Sequence, residues 1–119
     1  MRELKFRVWE KREKAYDTWP YILDMSGDLF RNAYGALIGC DKKDYIIEQY
    51  TGLEDKNDKE IYEGDILVDG VGHIGKVLFN KLIGAFVYDW GNCRSTFIDL
   101  NTSDIMIVGN IHENEELLK

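Results

Sequence analysis

The sequence predicts a mainly β chain that folds as a small barrel or sandwich. Roughly five or six short strand-like segments recur about every 8 to 12 residues, a spacing typical of such folds. Turns containing glycine separate the segments, and the chain has 11 glycines against one proline. No repeat, low-complexity run or linker interrupts the pattern, so we expect a single domain over residues 1–119.

The first strand is predicted by strict alternation near the N-terminus. One face would carry Leu4, Phe6 and Val8, and the other Lys5, Arg7 and Trp9. A period of two is the pattern of a strand with one buried face, so we expect the apolar side chains to point into the barrel. The charged run at 10–14 then indicates the solvated tip of a hairpin.

Residues 15–45 fit two structures. Segments 21–25 and 29–32 flank Ser26-Gly27-Asp28, which favours a β-hairpin. An apolar stripe from Leu29 to Ile38 also fits a helix, with Asp28 as its N-cap and Gly39 as its terminator. Gly35 would cost that helix about 1 kcal/mol relative to alanine, which favours the hairpin.

From residue 45 onward the pattern is β. Strands are predicted at 45–51, 66–68, 73–79, 85–90, 96–98 and 104–111, with a turn at 55–59. Asp69-Gly70 predicts a tight hairpin turn, since both residues accept positive φ. The apolar run at 105–108 indicates a strand covered on both faces, and 114–118 predicts a short C-terminal helical turn capped by Asn114.

Composition restricts the function classes. Asp and Glu number 22 against 15 Lys and Arg, and a net charge of −7 argues against nonspecific duplex binding. No apolar run approaches the roughly 20 residues that span a bilayer, and charge replaces the apolar segment of a signal peptide. We therefore expect a cytoplasmic protein without membrane association.

Candidate catalytic and metal-binding residues are scattered. Cys40, Cys93, His73 and His112 lack the short spacings of a zinc site, and residues 55–65 lack the spacing of a calcium loop. Glu63 and Asp65 could form an acid–base pair, but a Gly-Asp step entering a strand is common turn chemistry. The sequence predicts no catalytic residue, no metal and no cofactor.

Two segments together resemble one family. Tyr50-Thr-Gly-Leu53 and Glu63-Gly-Asp-Ile66, separated by a charged turn, resemble the YopX family of small phage and prophage proteins. The resemblance extends to Lys5–Glu10, Gly84-Ala-Phe86 and Val108–Asn114, whereas residues 15–45 match little. It implies an SH3-like β-barrel with an added N-terminal segment, a phage or prophage origin in a Gram-positive host, and no established activity. Asp58 stands where the family's turn commonly has glycine.

The sequence also suggests an interaction face. If Lys5, Arg7 and Trp9 share the outer face of the first strand, a tryptophan beside two cations could bind a protein or stack on bases. The alternative is that residues 15–45 cover Trp9 and make it part of a second small core. We expect a noncatalytic module that binds an unidentified host or phage protein, with self-association also open. The alternative function is a nucleic-acid-binding small barrel.

Overall fold

The computed structural model describes residues 3–91, 94–96 and 102–118. The chain is mainly β, with a strongly curled half-barrel sheet and a 3-10 turn near its C-terminus, which confirms the predicted fold class. Two compact units are present. The N-terminal unit is Phe6–Glu48, and the C-terminal unit combines Met1–Lys5 with Gln49–Lys119. No helix among the described residues is long and apolar enough to cross a membrane.

The N-terminal unit consists of short antiparallel strands. Its strands are β1 (Phe6–Glu10), β2 (Ala15–Tyr16), β3 (Tyr21–Leu23), β4 (Leu29–Ala33), β5 (Ala36–Gly39) and the first part of β6 (Tyr45–Glu54). β2 and β1 are neighbours, β1 lies next to β6, and β3-β4-β5 form a separate three-stranded sheet.

The predicted hairpin in residues 15–45 is confirmed, and the helical alternative is wrong. Leu23 pairs with Leu29 across the β3–β4 turn. The Asp24 carboxylate accepts hydrogen bonds from the backbone amides of Ser26 and Asp28, and Gly27 takes a φ of 87°. These local bonds satisfy the turn, and they compete with any helix starting at Asp28.

The β4–β5 connection is a two-residue turn at Tyr34-Gly35. Both residues have positive φ, 54° and 81°, which is the type I′ geometry favoured in tight hairpins. Gly35, which weighs against a helix, therefore occupies a position where glycine is the natural residue.

The predicted burial of β1 is only partly right. Val8 is buried, but Leu4 and Phe6 are 64% and 45% exposed, so the expected inward face is wrong for these two residues. At the other end of the strand Val8, Trp9 and Glu10 are buried in succession. Alternation fails there because both faces of the strand are covered.

In the part of the C-terminal unit that the structure describes, the rest of β6 is followed by six further strands. These are β7 (Glu60–Tyr62), β8 (Asp65–Val68), β9 (Ile74–Asn80), β10 (Ala85–Asp89), β11 (Arg94–Thr96) and β12 (Met106–Asn110), with 3-10 helices at Thr102–Asp104 and Glu115–Leu118. β6 pairs with β7, and a five-stranded sheet has the order β11-β10-β9-β8-β12. The predicted strands and C-terminal turn are confirmed with shifted ends. Phe97 and Ile98 lie outside the described residues.

The tight turn predicted at Asp69-Gly70 is wrong in its geometry. The Asp69 carbonyl accepts the Gly72 amide at 3.2 Å, and positive φ falls on Gly72 at 92° instead of Gly70. The Asp69 carboxylate accepts the amides of Val71 and His73 at 3.0 and 2.8 Å. The side chain thus stabilises a longer loop than the two-residue turn.

A compact apolar core fills the C-terminal unit. Its fully buried members come from β7, β8, β9, β10 and the approach to β12, namely Ile61, Leu67, Val77, Tyr88 and Ile105. Phe86 and Trp90 pack against these residues, so aromatic side chains of β10 and the residue after it border the core. Gly75 permits close approach, because a Cβ there would lie 2.5 Å from the Asp89 carbonyl oxygen.

Candidate functional site

The segment that carries the family resemblance builds the fold of the C-terminal unit. The Thr51 hydroxyl donates to the Ile61 carbonyl at 2.8 Å, and the β6–β7 register shifts between Tyr50 and Glu54, where Gly52 has a φ of 90°. This arrangement is a bulge that needs a residue tolerant of positive φ. The motif's threonine and glycine therefore have structural roles.

The Glu63-Gly64-Asp65 step is also turn chemistry. Asp65 is buried, and its carboxylate accepts the Tyr62 amide at 2.8 Å, while Gly64 takes a φ of 91°. Glu63 accepts the Gln49 amide at 2.9 Å. The interpretation of the Gly-Asp step as turn chemistry is confirmed, because both carboxylates accept backbone amides that hold the turn.

Asp55 organises the neighbouring turn in the same way. Its buried carboxylate accepts the amides of Asn57, Lys59 and Ile107 at 2.8, 3.0 and 3.0 Å. Burial alone would raise the pKa of Asp55, but these three amides outweigh it and hold the pKa below its ordinary value. Among the described residues, no group of three or more His, Cys, Asp or Glu is placed to hold a metal ion.

The exposed face predicted on β1 is not present in its expected form. Trp9 is only 5% exposed, and its ring meets the Tyr16 ring edge-on at a centroid distance of 5.0 Å. The alternative hypothesis, in which residues 15–45 cover Trp9 and form a second small core, describes this contact. Trp9 is therefore a packing residue and cannot be an exposed recognition residue.

The two cations of that predicted face are paired with carboxylates. Arg7 Nε lies 2.8 Å from Glu48 Oε1, and its guanidinium lies 4.1 Å from the Tyr16 ring centroid. The Tyr16 hydroxyl donates to the same Glu48 oxygen at 2.8 Å. In the C-terminal unit, Lys5 Nζ contacts Glu60 at 2.5 Å and Glu3 at 3.3 Å.

An open cleft of about 470 Å³ lies within the N-terminal unit, and we call it the Trp19 cleft. Trp19 is 51% exposed, and the Arg31 guanidinium lies 5.9 Å from its ring centroid. Tyr16, Tyr45 and Arg12 also line the cleft. The loop after β2 supplies Trp19, and the central strand β4 supplies Arg31, so a regular sheet positions one side of the cleft.

Carboxylates share the cleft with these aromatic and cationic groups. Glu10, Glu13 and Asp17 line it. Asp17 accepts the Trp19 amide at 3.1 Å and the Tyr21 hydroxyl at 2.9 Å, which fixes the loop that presents the indole. Burial, followed by the bond to Asp17, raises the pKa of Tyr21, so this hydroxyl remains a donor at neutral pH.

Sequence reasoning missed the Trp19 cleft. Its residues lie mostly in 15–45, where two structures fitted the sequence pattern. One local signal was available, since Trp19 precedes Pro20, the only proline of the chain. A residue before proline avoids helix and takes an extended conformation. No local pattern, however, places Arg31 beside Trp19.

The fold and the cleft together define a small β protein with a curled sheet and an added N-terminal unit of hairpins. A family model described as YopX protein matches residues 5–119, and the chain belongs to this family. Protein EF1440 from Enterococcus faecalis is similar in structure, with a TM-score of 0.70, 27% identity and full coverage of both chains. Protein yopX from Bacillus subtilis shares the fold, with a TM-score of 0.66, 19% identity and full coverage of both chains. A comparison with curated proteins gave no match.

Proposed function

We propose that this chain is a noncatalytic module that binds a protein partner through the Trp19 cleft. The observation that carries the proposal is an indole 51% exposed at a cleft that also presents two arginines and two tyrosines. Tryptophan, tyrosine and arginine are the residues enriched in the energetic centres of protein interfaces. Family membership supports a phage or prophage origin, a host or phage partner, and a place in the host cytoplasm.

The charges of the cleft favour a protein partner over nucleic acid. Glu10, Glu13 and Asp17 would meet any phosphate backbone entering the cleft, and the chain as a whole carries −7. Nucleic-acid affinity depends on cations that neutralise phosphates, so these carboxylates would oppose it. A peptide with basic or mixed charge can pair with both signs lining the cleft.

Nucleic-acid binding is the second candidate, and the Trp19–Arg31 pair supports it. A half-exposed indole beside a guanidinium is a surface on which an unpaired base can stack. Tyr45, also on the lining, could extend such a stack. This function would require single strands and should weaken steeply with salt.

The thiol of Cys40 also supports a noncatalytic role. Burial raises the pKa of Cys40 above its ordinary value, and its Sγ lies 3.9 Å from the Ile38 carbonyl oxygen. Nucleophilic cysteines need the opposite shift, toward the thiolate. The carboxylates Glu10 and Asp17 already accept backbone amides in turns.

We also propose that residues 1–119 act as one domain. The family model matches residues 5–119 as a single stretch, and β6 runs unbroken from Tyr45 to Glu54 across the boundary between the units. A strand shared by two units opposes independent unfolding of either.

The test is capture from lysate of the bacterial host with matched variants. Tagged wild type, Trp19→Ala and Tyr34→Ala would be compared with and without nuclease. Tyr34 is the control because its ring is fully exposed at the β4–β5 turn and is absent from the cleft lining. We expect a protein that survives nuclease, binds the Tyr34→Ala variant, and is reduced at least about tenfold with Trp19→Ala, the scale of a hot-spot truncation.

Two results would overturn the proposal. A partner retained equally by Trp19→Ala would place the binding surface elsewhere. Nucleic acid as the sole companion, lost on nuclease treatment and dependent on Trp19, would establish the second candidate in its place.

A further inference from the structure

We infer that β5 is a docking edge for a second copy of this chain, which pairs with it strand to strand. The inference is independent of the proposed function, because it rests on the free edge of the β3-β4-β5 sheet. It assigns an interaction surface to the segment Ala36–Gly39.

Among the strands that the structure describes, β5 is an edge strand with no partner on its outer side. It ends the three-stranded sheet, and all four of its residues are exposed. Leu37 and Ile38 are 60% and 40% exposed, and the strand has neither a charge nor a proline. Soluble proteins usually protect such edges with lysine, proline, bulges or a covering segment, because free strands recruit other strands.

The register identifies the backbone groups that face outward. Arg31 lies opposite Ile38, and Asn32 lies opposite Leu37. The Cys40 amide donates to the Leu29 carbonyl at 2.8 Å, which makes Leu29–Cys40 a hydrogen-bonded pair. Since bonded and nonbonded pairs alternate in an antiparallel ladder, Ile38 bonds to β4, whereas Leu37 and Gly39 direct their N–H and C=O groups to the free edge.

These outward groups fit an identical strand related by a two-fold axis at Ile38. In an antiparallel arrangement, Leu37 of one copy faces Gly39 of the other, and the two pairs supply about four backbone hydrogen bonds. The two Ile38 residues then form the close nonbonded pair on the axis, a favourable position for β-branched side chains. Isologous pairing of this kind closes as a dimer.

Charge distribution supports a second copy as the occupant. In this register the first charged residues after β5, Asp41 and Lys42, lie opposite Gly35 and Tyr34 of the other copy, so no like charges meet across the pair. Tyr34 is fully exposed and could receive the Lys42 ammonium on its ring. Because β5 itself carries no charge, two copies can pair there without adding to the repulsion between two chains of net charge −7 each.

A four-residue edge buries little area, so the dimer should be weak and dependent on concentration. The test is sedimentation velocity of the full chain from about 10 µM to about 1 mM, the range in which weak complexes form. Ile38→Lys would place two like charges on the axis and should weaken dimerisation at least about tenfold. Val71→Lys is the control, because it adds the same charge at an exposed apolar residue of the C-terminal unit.

Amide hydrogen exchange provides a second measurement at single residues. The amides of Leu37 and Gly39 should exchange quickly in dilute solution and slowly in concentrated solution. The Ile38 amide, which bonds to β4, should be protected at both concentrations. Trp19→Ala should leave dimerisation unchanged, so the two proposals can fail separately.

The inference is overturned if the wild type remains monomeric over the whole range. It is equally overturned if a dimer forms but tolerates Ile38→Lys, or if the exchange of Leu37 and Gly39 does not change with concentration.

Discussion

The two units of this chain are stabilised by different means. In the C-terminal unit, five apolar side chains from four strands and the residue before β12 are almost completely inaccessible and form one contiguous cluster. In the N-terminal unit, Val8, Trp9 and Leu29 are the buried apolar residues among those described. Polar and aromatic contacts accompany them, such as the Arg7–Glu48 pair and the Trp9–Tyr16 ring contact.

The difference in apolar burial suggests different roles for the two units: the C-terminal unit is the scaffold, and the N-terminal unit presents exposed surfaces. The residues that carry the family resemblance, including Thr51 and Asp65, hold the turns of the C-terminal unit. The N-terminal unit has less apolar burial and presents the Trp19 cleft and the open edge of β5. Binding surfaces commonly lie on exposed segments of this kind, held in place by a rigid scaffold.

The largest expected effect comes from removing the main buried side chain of the N-terminal unit, which tests whether this unit has a core of its own. Trp9→Ala should lower the free energy of unfolding by about 3 to 5 kcal/mol, because a buried indole and its edge-on contact with Tyr16 are lost. Urea denaturation followed by circular dichroism measures the change.

Trp19→Ala is the matched control for Trp9→Ala. Its indole is half exposed, so the expected change is within about 0.5 to 1 kcal/mol. Equal losses in the free energy of unfolding for the two variants would contradict a distinct core around Trp9. They would mean that the N-terminal unit is loosely packed.

A second test compares carboxylates in the turns of the two units. Asp55→Asn should cost about 1 to 3 kcal/mol at neutral pH, because a buried carboxylate holding three amides is replaced by a weaker, neutral acceptor. Asp24→Asn, in the exposed β3–β4 turn, should cost less than about 1 kcal/mol.

The loss from Asp55→Asn should also depend on pH. The folded-state pKa of Asp55 lies below its unfolded value of about 3.9, so its ionic contribution is present above that value and disappears as the pH falls through the folded pKa. Urea midpoints measured between about pH 7 and pH 3 should therefore converge for wild type and Asp55→Asn at acid pH. Parallel midpoints across that range would exclude a depressed pKa.

The sequence predicted the C-terminal unit well because its signals are local. Strand alternation, the Gly-Asp turn at Gly64 and Asp65, and the turn that begins at Asp55 are decided by neighbouring residues. The Asp69 turn shows the limit of such reasoning. Asp-Gly favoured a two-residue loop, but the Asp69 side chain satisfies amides as far as His73 and stabilises a longer one.

The N-terminal unit could not be predicted in the same way, because a periodic pattern does not show which side chains meet once neighbouring strands pair. Alternation in β1 placed Trp9 opposite the core, but a periodic pattern cannot show that Tyr16 returns to cover the indole. The cleft similarly depends on Arg31 of β4 lying beside Trp19, which precedes β3. Neither the charge count nor a sequence motif predicts these side-chain contacts.

The smallest expected changes in stability concern one residue of each unit whose backbone is in the left-handed region. Asp58 in the C-terminal unit and Lys14 in the N-terminal unit have φ values of 62° and 54°. Aspartate tolerates this conformation better than lysine does, whereas glycine adopts it freely but loses more entropy on folding. Lys14→Gly should therefore stabilise by about 0.5 to 1 kcal/mol, and Asp58→Gly should change stability by less than about 0.5 kcal/mol. Thermal unfolding of both variants measures the difference. A clear gain for Asp58→Gly alone would mean that backbone strain resides in the C-terminal unit, at Asp58.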